Sequence, residues 1–471
     1  MKKTVFYVLV LFAFNLTAQK NALDSLLINF VNNDLLSSSH IGIQLKNVSS
    51  DQIIMSFNDQ KLFIPASTQK LFTSATAFSV LSPDFNFKTM VLYSGSFDSS
   101  SNQIDGDLFI KGAGDPSLES KYFKNRSFIS DLSDTLAARN IKGFKGKLKI
   151  LQNIITDYKI NSTWLWGDIG NYYGAGVSDL TFRDNTVEVY FNSSNNLGEL
   201  TTITRIFPQI DEFNIENKVI TGKTNKDLAY GFGGPNNQNR YVSGEIPLNR
   251  NDFKVKISMH NPEKFLSHEV RSLVEFKDEE MLQIGSLDTL LVYRSPTLKK
   301  IIQNINHKSN NNYTEHVLMK TMFVLDSVKT LYDAALGMQK YWLKTLKSDK
   351  KFTMLDGCGL SRKNSISPSL MNDLLSHMYN NVNQNIKNDF IETLPIAGKT
   401  GTLRYLGDGT TLQNNFYGKS GSMDGIRCYA GYFVKNYEYF TFTIMLNQLT
   451  CSSIESFQLI EQFMVDIYEK L

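Results

Sequence analysis

Cysteine is scarce in this chain of 471 residues: Cys358, Cys428 and Cys451 are all there are. Three thiols do not make a disulfide scaffold; one pair is possible and none is required. Histidine is nearly as rare, with six scattered residues, His40, His260, His268, His307, His316 and His377. No H-E-x-x-H and no Cys/His cluster occurs, so a zinc site has no support in the sequence. An excess of one charge is also missing. Lys and Arg number 49 against 46 Asp and Glu, a net charge of +3, and no basic run stands out. A nucleic-acid partner held by phosphate electrostatics is therefore not expected. Beyond the first residues no apolar run approaches the roughly 20 residues a spanning helix needs.

What is present is ordinary globular composition, 42% hydrophobic and 20% charged. The length exceeds one small core, so two or three domains are expected. Lys2 and Lys3 precede the apolar run "TVFYVLVLFAFNL", and Thr17-Ala18 offers a small residue before Gln19. This is the layout of a secretory signal peptide over residues 1–18, cleaved after Ala18. The run is short for an uncleaved anchor, and no cysteine lies near the cut to carry a lipid.

Periodicity divides the rest. "LDSLLINFVNN" has helical spacing, and "HIGIQLKNVSSDQIIMSFN" alternates as strand, turn and strand. In "LFIPASTQKLFTSATAFSVLSPD" Ser67 stands at the head of a helix whose apolar residues include Leu71, Phe72, Ala75, Phe78 and Leu81. Short strands with Gly/Asn/Asp punctuation then dominate: "TMVLYSGSF" and "DLFIKGAGD" as a hairpin, then "TVEVYFNSSNN", "TTITRIF", "NKVITG" and "RYVSGEIPL". Helical periodicity returns at "SPTLKKIIQNINHKSNNNYTEHVLMKTMFVL". The end reads as strand "GIRCYAGYFV", a turn at Lys435-Asn436, strand "YFTFTIMLN" and a helix from about Ser453. The fold class expected is α+β. A helix-and-sheet domain made of residues 19–90 and 286–471 is interrupted by a β-rich insertion at 91–285.

Three short motifs carry chemistry. Serine acyl transfer needs a nucleophile, a base, a proton carrier and donors for the oxyanion. A lysine can be the base where burial or a neighbouring cation suppresses its charge. Ser67-Thr68-Gln69-Lys70 puts Ser67 and Lys70 three apart, on one helix face, with a free backbone N–H at the helix start. Ser348-Asp349-Lys350-Lys351 has the same spacing but lies in a polar stretch and reads as a solvated turn. Ser309-Asn310-Asn311 offers a hydroxyl and an amide between two helices; such residues also simply form turns. Two Lys-(Thr/Ser)-Gly copies follow, Lys399-Thr400-Gly401 and Lys419-Ser420-Gly421. The second is followed by the strand-like run from Ile426. The first is followed by "TLRYLGDGTTLQNN", polar and Gly-punctuated, so the second is expected to be the working copy.

Taken together, S-x-x-K, S-x-N and K-S-G resemble the low-molecular-weight class C penicillin-binding proteins, the D-alanyl-D-alanine carboxypeptidase/endopeptidases of the penicillin-binding protein 4 type. The resemblance extends to "GAGDPSL", "WLWGDIGNYYGAGVSDL", "RSPTLKKIIQNINHKSNNNYTEH" and "DGCGLSRKNSISP", and so over nearly all of the chain after residue 18. It implies a serine β-lactamase/penicillin-binding-protein transpeptidase-like domain carrying the insertion. By the same resemblance Ser67 is the nucleophile, Lys70 its base, Ser309 a proton shuttle and Asn311 a substrate-orienting amide. Lys419, Ser420 and Gly421 form the strand that receives the substrate carboxylate. The N–H groups of Ser67 and Ser422 are the oxyanion donors. Ser420 stands where the family commonly has Thr, and Cys358 where it usually has Ser.

The implied partners are peptidoglycan stem peptides, with β-lactams as covalent inhibitors, in the periplasm; no metal or organic cofactor is implied. Two rivals are a β-lactamase, which is usually much shorter, and a weakly catalytic peptidoglycan-binding protein. Stable labelling by a fluorescent penicillin, rapid loss of the label and absence of label distinguish the three.

Overall fold

The computed structural model describes residues 20–151, 154–155, 159–210, 213–235, 237–281 and 286–471. The expected signal segment lies outside them. The chain packs as two compact units. The first takes the chain up to Ser79, with Ile302–Ser309 and Met338–Leu471; the second takes Val80–Ile301 and Asn310–Gly337.

The first unit is built on a five-stranded antiparallel sheet. Its strand order is Phe416–Met423, Ile426–Lys435, Glu438–Asn447, His40–Asn47 and Ile53–Phe57. Strand alternation gives the sheet two different faces. One face carries Ile41, Ile43, Leu45, Phe433, Phe442, Ile444 and Leu446, all buried. These pack with the helices at residues 20–31 and Ser453–Lys470 in one apolar core. Phe30 of the first helix stacks on Phe463 of the second, with ring centroids 4.0 Å apart. A capping box of Ser452 and Glu455 starts the last helix.

The other face carries Gly42, Gln44, Thr443, Cys428, Ala430 and Lys419 in register. The helix Pro368–Asn380 is fastened to it by polar bonds. The Asn372 amide donates to Gln44 C=O at 3.0 Å and accepts from the Thr443 hydroxyl at 2.7 Å. The Tyr432 hydroxyl donates to Leu375 C=O at 2.7 Å. Buried polar groups of this kind hold a unique register because each would be costly unpaired.

The second unit is β-rich; its described residues form two four-stranded and two three-stranded sheets around one apolar core. It reaches beyond residues 91–285, because Lys88–Tyr93 pairs with Asp288–Arg294. The hairpin expected from "TMVLYSGSF" and "DLFIKGAGD" is a more complex element. Lys88–Tyr93 does pair antiparallel with Leu108–Lys111. Between them Ser96–Asp98 and Gln103–Asp105 form a tighter hairpin that belongs to a different sheet. Two glycines permit the crossing: a Cβ on Gly95 would lie 2.0 Å from Asp105 O, and one on Gly106 would lie 1.9 Å from Ser94 O.

Candidate functional site

The approach to Ser67 is fixed before the residue itself. Phe63 bridges Ile366. The Asn447 side chain accepts from Ile64 N–H at 2.7 Å and donates to Ile64 C=O at 3.1 Å. Ala66 then takes φ +46°, a left-handed conformation that costs a non-glycine residue about 1–2 kcal/mol. It turns the chain into a 3₁₀ turn, Ala66–Gln69, which runs on as the α-helix Lys70–Leu81. Pro65 C=O accepts from both the N–H and the hydroxyl of Thr68, at 3.3 and 2.7 Å. In a 3₁₀ turn residues i and i+3 eclipse. Ser67 and Lys70 therefore fall on one side, and Lys70 Nζ lies 2.9 Å from Ser67 Oγ. Ser67 is half-buried and Lys70 fully buried.

A loop at residues 356–361 clasps the same turn. Its carbonyls accept side-chain bonds from the Ser67 helix: Gln69 Nε2 to Asp356 O, Thr73 Oγ1 to Gly357 O at 2.8 Å and Lys70 Nζ to Cys358 O at 2.7 Å. No local pattern in the sequence marks Asp356 for a place beside Ser67; the nearest signal is the D-G-C-G string, whose glycines announce a tight turn. No disulfide joins any of the three cysteines, and Cys358 and Cys428 are buried.

Lys419-Ser420-Gly421 lies in the edge strand Phe416–Met423. Gly421 faces the Ser67 turn so closely that a Cβ would meet Pro65 O at 2.7 Å and the Ser67 and Thr68 nitrogens at 3.0 Å. Lys419 shares that face by strand alternation and is fully buried. Burial, and after it the charge of Lys70, hold its pKa well below the usual lysine value. The outer edge of the strand is covered at its start, where Ala397 N–H donates to Phe416 O and Gly418 N–H to Pro395 O. Hydrogen-bonding groups alternate along an antiparallel strand. The outward direction of Gly418 N–H thus makes Ser420 C=O and Ser422 N–H outward-facing as well. Ser420 C=O accepts from Lys419 Nζ at 2.6 Å.

Lys399-Thr400-Gly401 has no strand. Gly401 has φ +58° and begins a 3₁₀ turn, Gly401–Leu403, and Lys399 is exposed. Ser348 and Lys351 follow the end of the helix Leu331–Thr345, outside any helix. Ser309 belongs to the first unit and has φ +55°, just past the helix Leu298–Lys308. Asn311 belongs to the second unit, at the start of the helix Asn311–Asp326, where its amide donates to Tyr173 C=O at 2.9 Å. The first unit thus brings Ser67, Lys70, Lys419 and Gly421 together.

The family model of the D-Ala-D-Ala carboxypeptidase 3 (S13) family matches residues 21–469. Penicillin-sensitive carboxypeptidase A of Dictyostelium discoideum is 27% identical over 446 residues, covering 88% of this chain and 83% of that protein. D-alanyl-D-alanine carboxypeptidase DacB of Haemophilus influenzae is 25% identical over 444 residues, covering 90% and 88%. Among solved structures, penicillin binding protein 4 of Haemophilus influenzae superposes with a TM-score of 0.78 at 22% identity, covering 93% of this chain and 98% of that one. The last comparison concerns the fold.

Proposed function

The chain belongs to the D-Ala-D-Ala carboxypeptidase 3 (S13) family of peptidases, and on that premise we propose that it hydrolyses the terminal D-Ala–D-Ala bond of peptidoglycan stem peptides through an acyl-enzyme on Ser67. Ser67 Oγ attacks the penultimate D-Ala carbonyl and Lys70 Nζ takes its proton. The N–H groups of Ser67 and Ser422 receive the oxyanion. Ser309 passes a proton to the leaving nitrogen, the C–N bond breaks and D-Ala departs. Water then attacks the ester, and Ser67 recovers its proton. Asn311 orients the substrate. Lys419 and Ser420 hold its terminal carboxylate, whose charge in turn favours the charged form of Lys419. Gly421 leaves the acyl chain room beside the open strand edge.

The observation that carries this reading is the 2.9 Å contact of Lys70 Nζ with Ser67 Oγ. By the same chemistry β-lactams are covalent inhibitors, since they mimic the acyl-D-Ala-D-Ala group and leave a slowly hydrolysed ester. D-Ala–diaminopimelate cross-links are a second substrate of the same site. The protein acts in the periplasm after removal of residues 1–18, and the β-rich second unit serves as a module inserted into the catalytic domain. Among the described residues no helix is long and apolar enough to cross a membrane. The test is D-Ala release from a peptide ending in D-Ala-D-Ala: activity in the native protein and none in Ser67→Ala supports the reading, and equal release by both overturns it.

A further inference from the structure

We propose that Asp356 is a positioning residue for the Ser67–Lys70 pair, an inference that rests on the acyl-transfer reading above. The Asp356 side chain is fully buried. Its carboxylate accepts from Gly359 N–H at 2.8 Å, Ser361 N–H at 2.6 Å and the Asn364 amide at 2.8 Å. These bonds fold residues 356–361 into a turn that presents three consecutive carbonyls to one surface of the Ser67 helix. Gln69 and Lys70 lie four and three residues before Thr73 and so both neighbour it on that surface, and each of the three donates into one of the carbonyls. The turn also touches the nucleophile's own turn through backbone. Gly359 has φ +81°, and a Cβ on it would lie 1.9 Å from Ala66 O.

The consequence falls on Lys70. Its amine sits on a flexible four-carbon stem and would sample many directions if free. The bond to Cys358 O at 2.7 Å and the contact with Ser67 Oγ at 2.9 Å fix two directions about one nitrogen. That aims the amine at the hydroxyl proton it is to take. The group that does this at position 358 is the backbone carbonyl, so the arrangement does not require serine there. Asp356 acts on the site through the shape it gives the loop, without touching the substrate.

Acylation by a fluorescent penicillin tests this, with the rate constant of ester formation separated from the dissociation constant of the prior complex. Asp356→Ala is expected to lower the rate constant about 100-fold and leave the dissociation constant within about twofold, the signature of a misplaced reactive group. Asp356→Asn, which keeps one acceptor oxygen, is expected to recover part of the loss. A purely structural role would lower the melting temperature and the labelled fraction, while folded molecules reacted at the native rate; that result overturns the proposal. Should Asp356→Ala fail to fold, Thr73→Val removes one donor to the loop and keeps the side-chain shape. It is expected to slow acylation several-fold at an unchanged melting temperature, and native kinetics in that variant likewise overturn the proposal. A fluorophosphonate probe reads the reactivity of Ser67 without recognition of D-Ala. If the native protein takes no penicillin, the acyl-transfer reading fails, and the same variants compared by phosphonate rate still decide the positioning.

Discussion

Gly421 and Ser67 face each other at a separation that leaves no room for a side chain: a Cβ on residue 421 would lie 3.0 Å from the Ser67 nitrogen and 2.7 Å from Pro65 O. Both contacts are with backbone, so nothing flexible can yield. Gly421→Ala must push the edge strand away from the Ser67 turn or displace the turn itself. Overpacking of this kind costs about 1–3 kcal/mol, and a displacement near 1 Å at a reacting centre costs about 100-fold in rate. Thermal melts and penicillin acylation rates of Gly421→Ala check both. A native acylation rate would show that the strand does not frame the nucleophile.

The two Lys-(Thr/Ser)-Gly copies make opposite predictions. Lys419 is fully buried beside Lys70, and Lys399 is exposed on a turn. Lys419→Ala should slow acylation by both penicillin and a D-Ala-D-Ala peptide by about 100-fold, as removal of one oriented donor does elsewhere. Lys399→Ala should change either rate by less than about twofold, as expected of a solvated side chain. Acylation rates for the pair decide between them, and a crippled Lys399→Ala would transfer the role to the first copy.

Two buried groups of the second unit should oppose each other in acid. His316 accepts from Ser178 N–H at 3.0 Å and has its other ring nitrogen 2.8 Å from Asn312 O. Burial pushes its pKa down from 6.5 to about 4. As pH falls through that window the unfolded chain binds a proton the folded chain does not, so stability is lost on acidification. Asp115 behaves inversely, because burial raises its pKa from 3.8 to about 6. Between those values the folded chain keeps a proton the unfolded chain has released, so stability is lost as pH rises. Each effect is worth about 3 kcal/mol over its window. Relative to the native protein, Asp115→Asn should gain stability from pH 4 to 6 and His316→Gln should lose it. Urea melts across that range check the signs, and parallel curves for all three proteins would contradict them.

Where a motif is local the sequence shows it directly. Ser67 and Lys70 are one turn apart, so a helical reading already puts them on one side. The choice of Lys419 over Lys399 follows from the apolar strands that come after Gly421, and Ile426–Lys435 and Glu438–Asn447 are found where the alternation places them. Other parts of the site depend on partners far along the chain. Ala66 carries no turn signal. Its left-handed conformation lies between the hold of Asn447 on Ile64 and the close approach of Gly359 to its carbonyl. The donors Gln69, Lys70 and Thr73 meet a loop more than 280 positions away, a pairing no local pattern encodes. The stretch "TLRYLGDGTTLQNN" reads as polar, yet Leu403, Leu406 and Leu412 are buried in the sheet core. Three leucines at irregular spacing match neither a helical nor a strand period.

Everything proposed for this site depends on Ser67 as the residue that carries the acyl group. The most direct test is mass spectrometry of the full chain after incubation with benzylpenicillin, followed by peptide mapping of the adduct. A single penicilloyl ester is expected on the peptide that contains Ser67, and no adduct on Ser67→Ala. An adduct mapped to any other residue, or one that persists in Ser67→Ala, would contradict that role.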